Sequence, residues 1–197
     1  MDQDDTLAGL RVLDLAQGIA GSYAAKLFAD AGADVIKIEQ PGEDPIRRQG
    51  PFPADRPDPE TGALWFYLNT NKRGITLNIE TGTGRELFIR LVKGAHFVLE
   101  SYRPGHMETL GLGYHSLREV NPALVMVSIS PYGQTGPYRD YLATLGSLAS
   151  LLVLPGRQAE GEGFEPPVGC PTAVFKTAAF GRSAIPPGSS PSGPAPP

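Results

Sequence analysis

Short apolar runs separated by glycine-marked turns set the rhythm of this chain. Val12–Leu15, with Val12, Leu13 and Leu15 apolar, predicts a first strand. In the next segment, Gly21–Ala31, residues Ala24, Leu27, Phe28 and Ala31 fall at i, i+3, i+4 and i+7, the spacing of one buried helical stripe. Gly32 suits the left-handed residue that ends such a helix. Asp34–Glu39 predicts a second strand, with Val35, Ile36 and Ile38 inside and Pro41-Gly42 as its stop. Arg11 to Gly42 therefore reads as a βαβ unit closing on an acid, Glu39, the arrangement that cradles a nucleotide-like ligand. Its turn reads AQGIAG and lacks the G-x-G-x-x-G spacing of a dinucleotide enzyme, which counts against a nicotinamide oxidoreductase.

The pattern continues beyond a long polar, Pro-rich loop at Glu43–Thr61, in which Asp44, Asp55 and Asp58 read as solvated. Leu64–Leu68 and Ile75–Ile79 are predicted strands flanking the basic turn Asn69–Arg73. A helix follows over Gly84–Lys93, with Thr83 and Glu86 as a capping pair, Leu87, Phe88, Leu91 and Val92 as the core face and Gly94 as its end. Next come a strand at His96–Glu100, a short helix opening near Ser116 and Glu119, and a strand at Leu124–Ile129. Helices alternating with apolar strands imply an α/β fold, a Rossmann-like open parallel sheet with flanking helices. The packed unit is expected over residues 8–154. Residues 155–197 read as a loop and a Pro/Gly/Ser-rich tail, whose last stretch, SAIPPGSSPSGPAPP, holds six prolines and cannot offset its chain entropy; the tail is expected to be disordered.

Composition narrows the function classes. The 197 residues carry a net charge of −4, so the chain as a whole offers no basic field for nucleic acid. No apolar run reaches the length of a membrane span. The opening MDQDDTLAGL resembles neither a signal nor a transit peptide. The single cysteine, Cys170, excludes an internal disulfide and fits a reducing compartment, the cytoplasm. His96, His106 and His115 lack metal-ligand spacing, and no metal site is expected.

Four segments could carry chemistry. Gln17–Gly21 leaves a strand for a helix N-terminus, where free N–H groups attract anions and Gly18 and Gly21 allow close approach; a plain tight turn fits equally well. In Asn69–Arg73, Arg73 could clamp a phosphate and Lys72 supply a point charge, although a solvated turn is the commoner outcome. Ser101–Gly105, SYRPG, follows a predicted parallel strand, where Tyr102 could stack on a base and Arg103 meet phosphate. Pro131–Asp140, PYGQTGPYRD, lies beyond the last strand and could present N–H donors to an oxyanion, or simply connect.

Taken together, LRVLDLAQGIAGSYAAKLFADAGADVIKIEQPG, NTNKRGITLNI and FVLESYRPGHMETLGLGYHSLREVNPALVMVSISPYGQTGPYRD resemble the family III CoA-transferases, over about Leu10 to Asp140. That group includes formyl-CoA, carnitine-CoA and succinyl-CoA transferases and the related 2-methylacyl-CoA racemases. The resemblance implies coenzyme A as a substrate, with no permanently bound cofactor. It places CoA contacts at Gln17, Gly18, Ile19, Ala20, Gln40, Leu77, Glu80, Ser101 and Tyr102, and matches Lys72 and Arg73 to the family's NKR. Gln40 stands where arginine is frequent, Glu80 where lysine can sit and Ser101 where asparagine is usual. The first two substitutions remove charge-assisted contacts to phosphate.

The implied partners are an acyl-CoA and a small carboxylic acid, in an interlocked homodimer; members are about double this length, and a chain of this size is not expected to close that dimer. The implied reaction runs through an aspartate that attacks the thioester and carries the acyl unit and then CoA. No Asp or Glu lies between Asp140 and Glu160, so Asp140 is the sole nearby carboxylate, and it matches a loop residue of the family. The chain therefore reads as the N-terminal part of a family protein, weakly active or inactive in transfer. The alternatives are a non-catalytic CoA-binding fragment and a racemase-like enzyme; the racemase needs a paired His and Asp, and no His follows His115.

Overall fold

The computed structural model describes residues 6–42 and 44–141. The expected tail at 155–197, the boundary at residue 154 and Cys170 lie outside the described residues. Five strands form one sheet: β1 (Arg11–Asp14), β2 (Asp34–Glu39), β3 (Arg73–Thr76), β4 (Phe97–Glu100) and β5 (Val125–Ser128). They lie in the order β3-β2-β1-β4-β5 and every pairing is parallel. The expected Rossmann-like sheet is therefore present. The chain winds from β1 out through β2 to β3, then crosses back to β4 on the other side of β1. This reversal opens a crevice at the carboxyl ends of β1 and β4.

Alternation along the strands sorts the core into two layers. Val12, Val35 and Leu99 face α1 (Gly18–Asp30) and bury Ala25 and Ala29. Leu13, Ile36 and Val98 face the other side, against Phe88 and Val92 of α3 (Gly82–Val92), Met107 of α4 (His106–Thr109) and Leu117 of α5 (Tyr114–Val120). The remaining helix, α2 (Ala63–Asn69), packs on α1 and joins Trp65 and Leu68 to Ile46. No helix among the described residues is long and apolar enough to cross a membrane.

Several elements depart from the sequence expectation. Leu64–Leu68 forms the helix α2, not a strand: its buried residues, Trp65 and Leu68, are three apart, while Phe66 and Tyr67 between them face solvent. The strand expected at Ile75–Ile79 runs instead from Arg73 to Thr76, and as the sheet edge it is exposed at every position. On α1 the buried stripe is Gly21, Ser22, Ala25 and Ala29, one step round from that expected, and Leu27 is 52% exposed. Small residues bury there because helix and sheet approach closely. Thr81 caps α3, its hydroxyl accepting the Gly84 N–H at 3.0 Å, in place of Thr83. Gly84 fits because a Cβ would lie 1.7 Å from the Asn78 carbonyl.

The start of the polar stretch after β2 is docked, whereas Asp55 and Asp58 are exposed as expected. Asp44 is buried, and its carboxylate accepts the Lys37 ammonium at 3.1 Å and the Ile46 N–H at 3.0 Å. Arg47 grips Glu39 with two bonds, at 2.6 and 3.1 Å, and stacks 3.8 Å from the Trp65 ring centroid. Beneath them Lys72 donates to Asp14 at 2.9 Å, to the Ser22 carbonyl at 2.8 Å and to Asn69 at 3.1 Å. Both ends of the Lys72–Asp14 pair are sealed from water. Burial pushes the Lys72 ammonium below its ordinary value, with the Asp14 charge opposing.

Breaking such a pair from one side leaves an uncompensated buried charge. Lys72→Met should cost about 3–5 kcal/mol of stability in urea unfolding. A loss within experimental error would show that Asp14 finds water or another donor.

Candidate ligand-binding crevice

The turn from β1 to α1 is set by its own residues. Asp14 turns its second carboxylate oxygen onto the Ala16 N–H at 3.0 Å, while the Lys37 ammonium donates to the Ala16 carbonyl. Gly18 opens α1 at φ +78, a conformation that penalises any side chain. Gly21 serves a different end from ligand approach: a Cβ there would sit 2.3 Å from the Ala16 Cβ, so this glycine brings helix to strand. Gln17, Ile19 and Ala20 are left exposed at the mouth of the crevice, with the first N–H groups of a thirteen-residue helix behind them.

The SYRPG segment meets this turn across the switch point. The Ser101 hydroxyl accepts the Gln17 N–H at 2.7 Å and donates to the Gln17 carbonyl at 2.9 Å. Tyr102 lays its ring on His106, centroids 4.8 Å apart, and its hydroxyl accepts from Gln40 at 3.4 Å. Burial pushes the Tyr102 phenol up, against the Gln40 hydrogen bond, so the group stays neutral. Gln17, Gly18, Ile19, Ala20, Gln40, Ser101 and Tyr102 thus gather at the ends of β1, β2 and β4. Leu77 lies just past β3 at the same end of the sheet, its N–H on the Glu39 carbonyl at 2.9 Å. Arg103 is exposed beside Tyr102, its carbonyl accepting the His106 N–H at 3.0 Å. Glu80 is exposed in the turn before α3.

Three expected residues are placed elsewhere or differently. Lys72 is consumed by Asp14 under α1. Arg73 lies at the amino end of the sheet, where it and Arg11 clamp Asp34; partial burial alone would raise that carboxyl, but the two guanidinium groups hold it below its ordinary value. A groove of about 570 Å³ runs along β3 and α2, yet Arg47, Lys72 and Arg73 on its walls are each engaged by an acid. Asp140 is 64% exposed, 3.6 Å from Arg139, on the loop after β5. That loop reaches the SYRPG segment: Arg139 lies against Gly105, within 3.0 Å of where a Cβ would stand.

Sequence reasoning missed Glu100. It closes β4 at the crevice, 4% exposed, and its carboxylate accepts the Tyr102 N–H at 2.7 Å. Burial pushes its carboxyl up from the ordinary 4.5; hydrogen bonds from Ser128 and the Tyr102 N–H oppose this, and the nearby Glu108 adds to it. The signal available was the acid ending an apolar run, FVLE, in parallel with VLD and KIE. Among the described residues no three His, Cys, Asp or Glu side chains gather as a metal site would require.

A family model described as CoA-transferase family III matches residues 7–185. The chain belongs to this family. Among curated relatives, the succinyl-CoA:(R)-benzylsuccinate CoA-transferase subunit BbsE of Thauera aromatica is 41% identical over 159 residues, covering 79% of this chain and 38% of the relative. The succinyl-CoA–L-malate CoA-transferase beta subunit of Chloroflexus aurantiacus is 44% identical over 68% of this chain and 32% of its own length. Among solved structures, a CaiB/BaiF family protein from Brucella suis superposes with a TM-score of 0.67 at 34% identity, over 84% of this chain and 44% of that one. The family III chain described here thus spans less than half the length of these relatives.

A raised carboxyl gives a pH-dependent stability of known sign. Between the ordinary value and the raised one, the folded state binds a proton that the unfolded state has released, so stability falls as pH rises. Glu100→Gln removes that slope. The variant should match wild type in acid, below 4.5, and exceed it in melting temperature at pH 7–8. Parallel melting curves at every pH would show that the carboxylate is not penalised.

Proposed function

We propose that the crevice between the β1–α1 turn and the SYRPG segment holds the coenzyme A portion of an acyl-CoA, as one part of a family III CoA-transferase. The observation that carries this reading is the two-way hydrogen bond of Ser101 with Gln17. It joins the two loops that the family resemblance assigns to CoA, and it does so at the switch point where open α/β sheets take ligands. The free N–H groups at the start of α1 supply positive potential for a phosphate or pyrophosphate, which suits a chain whose candidate cations, Lys72 and Arg73, are spent internally. Arg103 is the exposed cation of the SYRPG segment. Gln40 and Tyr102, bonded to each other, form the polar wall on the β2 side.

The named relatives pass CoA from succinyl-CoA to other acids, and an acyl-CoA donor with a small carboxylic acceptor is the substrate pair proposed here. The covalent step is a separate matter. It needs a carboxylate close to the thioester, and the chain offers Asp140 alone on the loop after β5, solvated and beside Arg139. The reading is therefore a CoA-holding unit in the reducing compartment of the cell, without a nucleophile of its own, whose large-domain portion is proposed to run over residues 8–154.

Calorimetric titration with coenzyme A should give saturable heat. Ser101→Ala should weaken the affinity about tenfold, since two hydrogen bonds joining the loops are lost. Absence of any saturable heat with the wild-type chain would refute CoA binding. Incubation with succinyl-CoA should leave the intact mass unchanged, whereas an adduct mapped to Asp140 would make that residue the nucleophile.

A further inference from the structure

Each of the three inner strands at the crevice ends in an acid: Asp14 closes β1, Glu39 closes β2 and Glu100 closes β4. Asp14 has Lys72 and Glu39 has Arg47. Glu100 has no cation among the described residues. It faces the α3–α5 layer, on the same side as Val98, with its strand partner Ser128 and the carboxylate of Glu108 as its charged and polar surroundings. An acid in such a position costs free energy unless its hydrogen bonds offset the desolvation or it takes up a proton. What they do here is hold backbone: the Tyr102 N–H points at the Glu100 carboxylate, 2.7 Å away.

Between those two residues sits Ser101. Its hydroxyl meets both the N–H and the carbonyl of Gln17, a geometry that demands a fixed bend at residues 100–102. We propose that Glu100 is a positioning residue for coenzyme A: it grips the Tyr102 amide, fixes that bend, and so lets Ser101 lock the β1–α1 turn with its N–H groups open to the ligand. The proposal rests on the reading of the crevice as a CoA site. Glu100 itself touches no ligand. It acts through two links, from its carboxylate to Tyr102 and from Ser101 to Gln17.

The chemistry separates grip from charge. In Glu100→Gln the amide oxygen still accepts the Tyr102 N–H, and the Ser128 hydroxyl can turn to accept from the new NH₂ group. In Glu100→Ala the acceptor is gone and the Tyr102 N–H is left without its partner. Val92→Ala, a fully buried change on α3, provides a variant loosened by a cavity and not by a lost acceptor.

The experiment is a coenzyme A titration of the 197-residue chain and these variants, with amide hydrogen exchange followed at Gln17 and Tyr102. Glu100→Ala should bind about tenfold or more weakly, and Glu100→Gln within about threefold of wild type, the difference of roughly one backbone hydrogen bond. Val92→Ala should keep wild-type affinity. Exchange at Gln17 and Tyr102 should quicken in Glu100→Ala only. Wild-type affinity in Glu100→Ala overturns the proposal. So does equal loss in Glu100→Gln, which would make charge the cause, or equal loss in Val92→Ala, which would make it general loosening. Should Glu100→Ala fail to fold, Glu100→Leu restores the volume without the acceptor and is read in the same way. If wild type itself does not bind coenzyme A, the functional reading falls, and exchange at Gln17 decides the positioning claim by itself.

Discussion

The backbone of Ala16 is held at both its N–H and its carbonyl by buried charge, and the architecture of the crevice follows from that constraint. Its N–H is taken by Asp14 and its carbonyl by the Lys37 ammonium. Neither charge could remain there alone in so dry a place. Lys72 answers Asp14, and Asp44 answers Lys37. These partners come from different parts of the chain, one from the turn before β3 and one from the loop after β2. The first turn is therefore fixed only when β2, β3 and their connections have packed. Local sequence places Gly18 and Gly21, and tertiary ion pairing makes their conformation the single one available.

Much of the fold was legible because hydrophobic periodicity in this chain is clean where strands are fully buried. The bounds of β2 are those its pattern implies, Asp34 to Glu39, and β1, β4 and β5 differ by a residue or so at their ends. The errors have specific physical causes. LWFYL is aromatic and apolar throughout, so a short run of it carries neither a two-residue nor a three-residue period. Its neighbours decided the matter, because Ile46 and α1 cover Trp65 and Leu68 while Phe66 and Tyr67 face out. On α1 the largest residues were expected inside. Close approach of helix to sheet, forced by the Gly21–Ala16 contact, favours alanine there and turns Leu27 outward.

The candidate site was legible to a different degree. Two segments, the glycine-bearing Gln17–Gly21 and the hydroxyl-bearing Ser101–Gly105, were singled out from their place after strands, and the fold brings them into hydrogen-bond contact. The basic turn was less transparent. Charge in a sequence says nothing about whether an acid lies beneath it, and Lys72 and Arg73 each have one. The same blindness hid Asp44, Lys37 and Glu100, since a charged residue in a polar stretch or at a strand end reads as solvated until its surroundings are known. Ser101 and Gln40 both make contacts here that join loops of the crevice.

Strand β3 carries an implication of its own. All four of its residues are exposed, Ile75 among them, and among the described residues only one side of the strand is paired. The outward amides and carbonyls face solvent on a strand that contains no proline and no bulge, and whose arginine is already tied back to Asp34. Such a rim templates any extended polypeptide that reaches it, whether another copy of this molecule or a different one. Among the described residues nothing lies alongside Arg73–Thr76, which makes that flank the place where a further strand would add to the sheet.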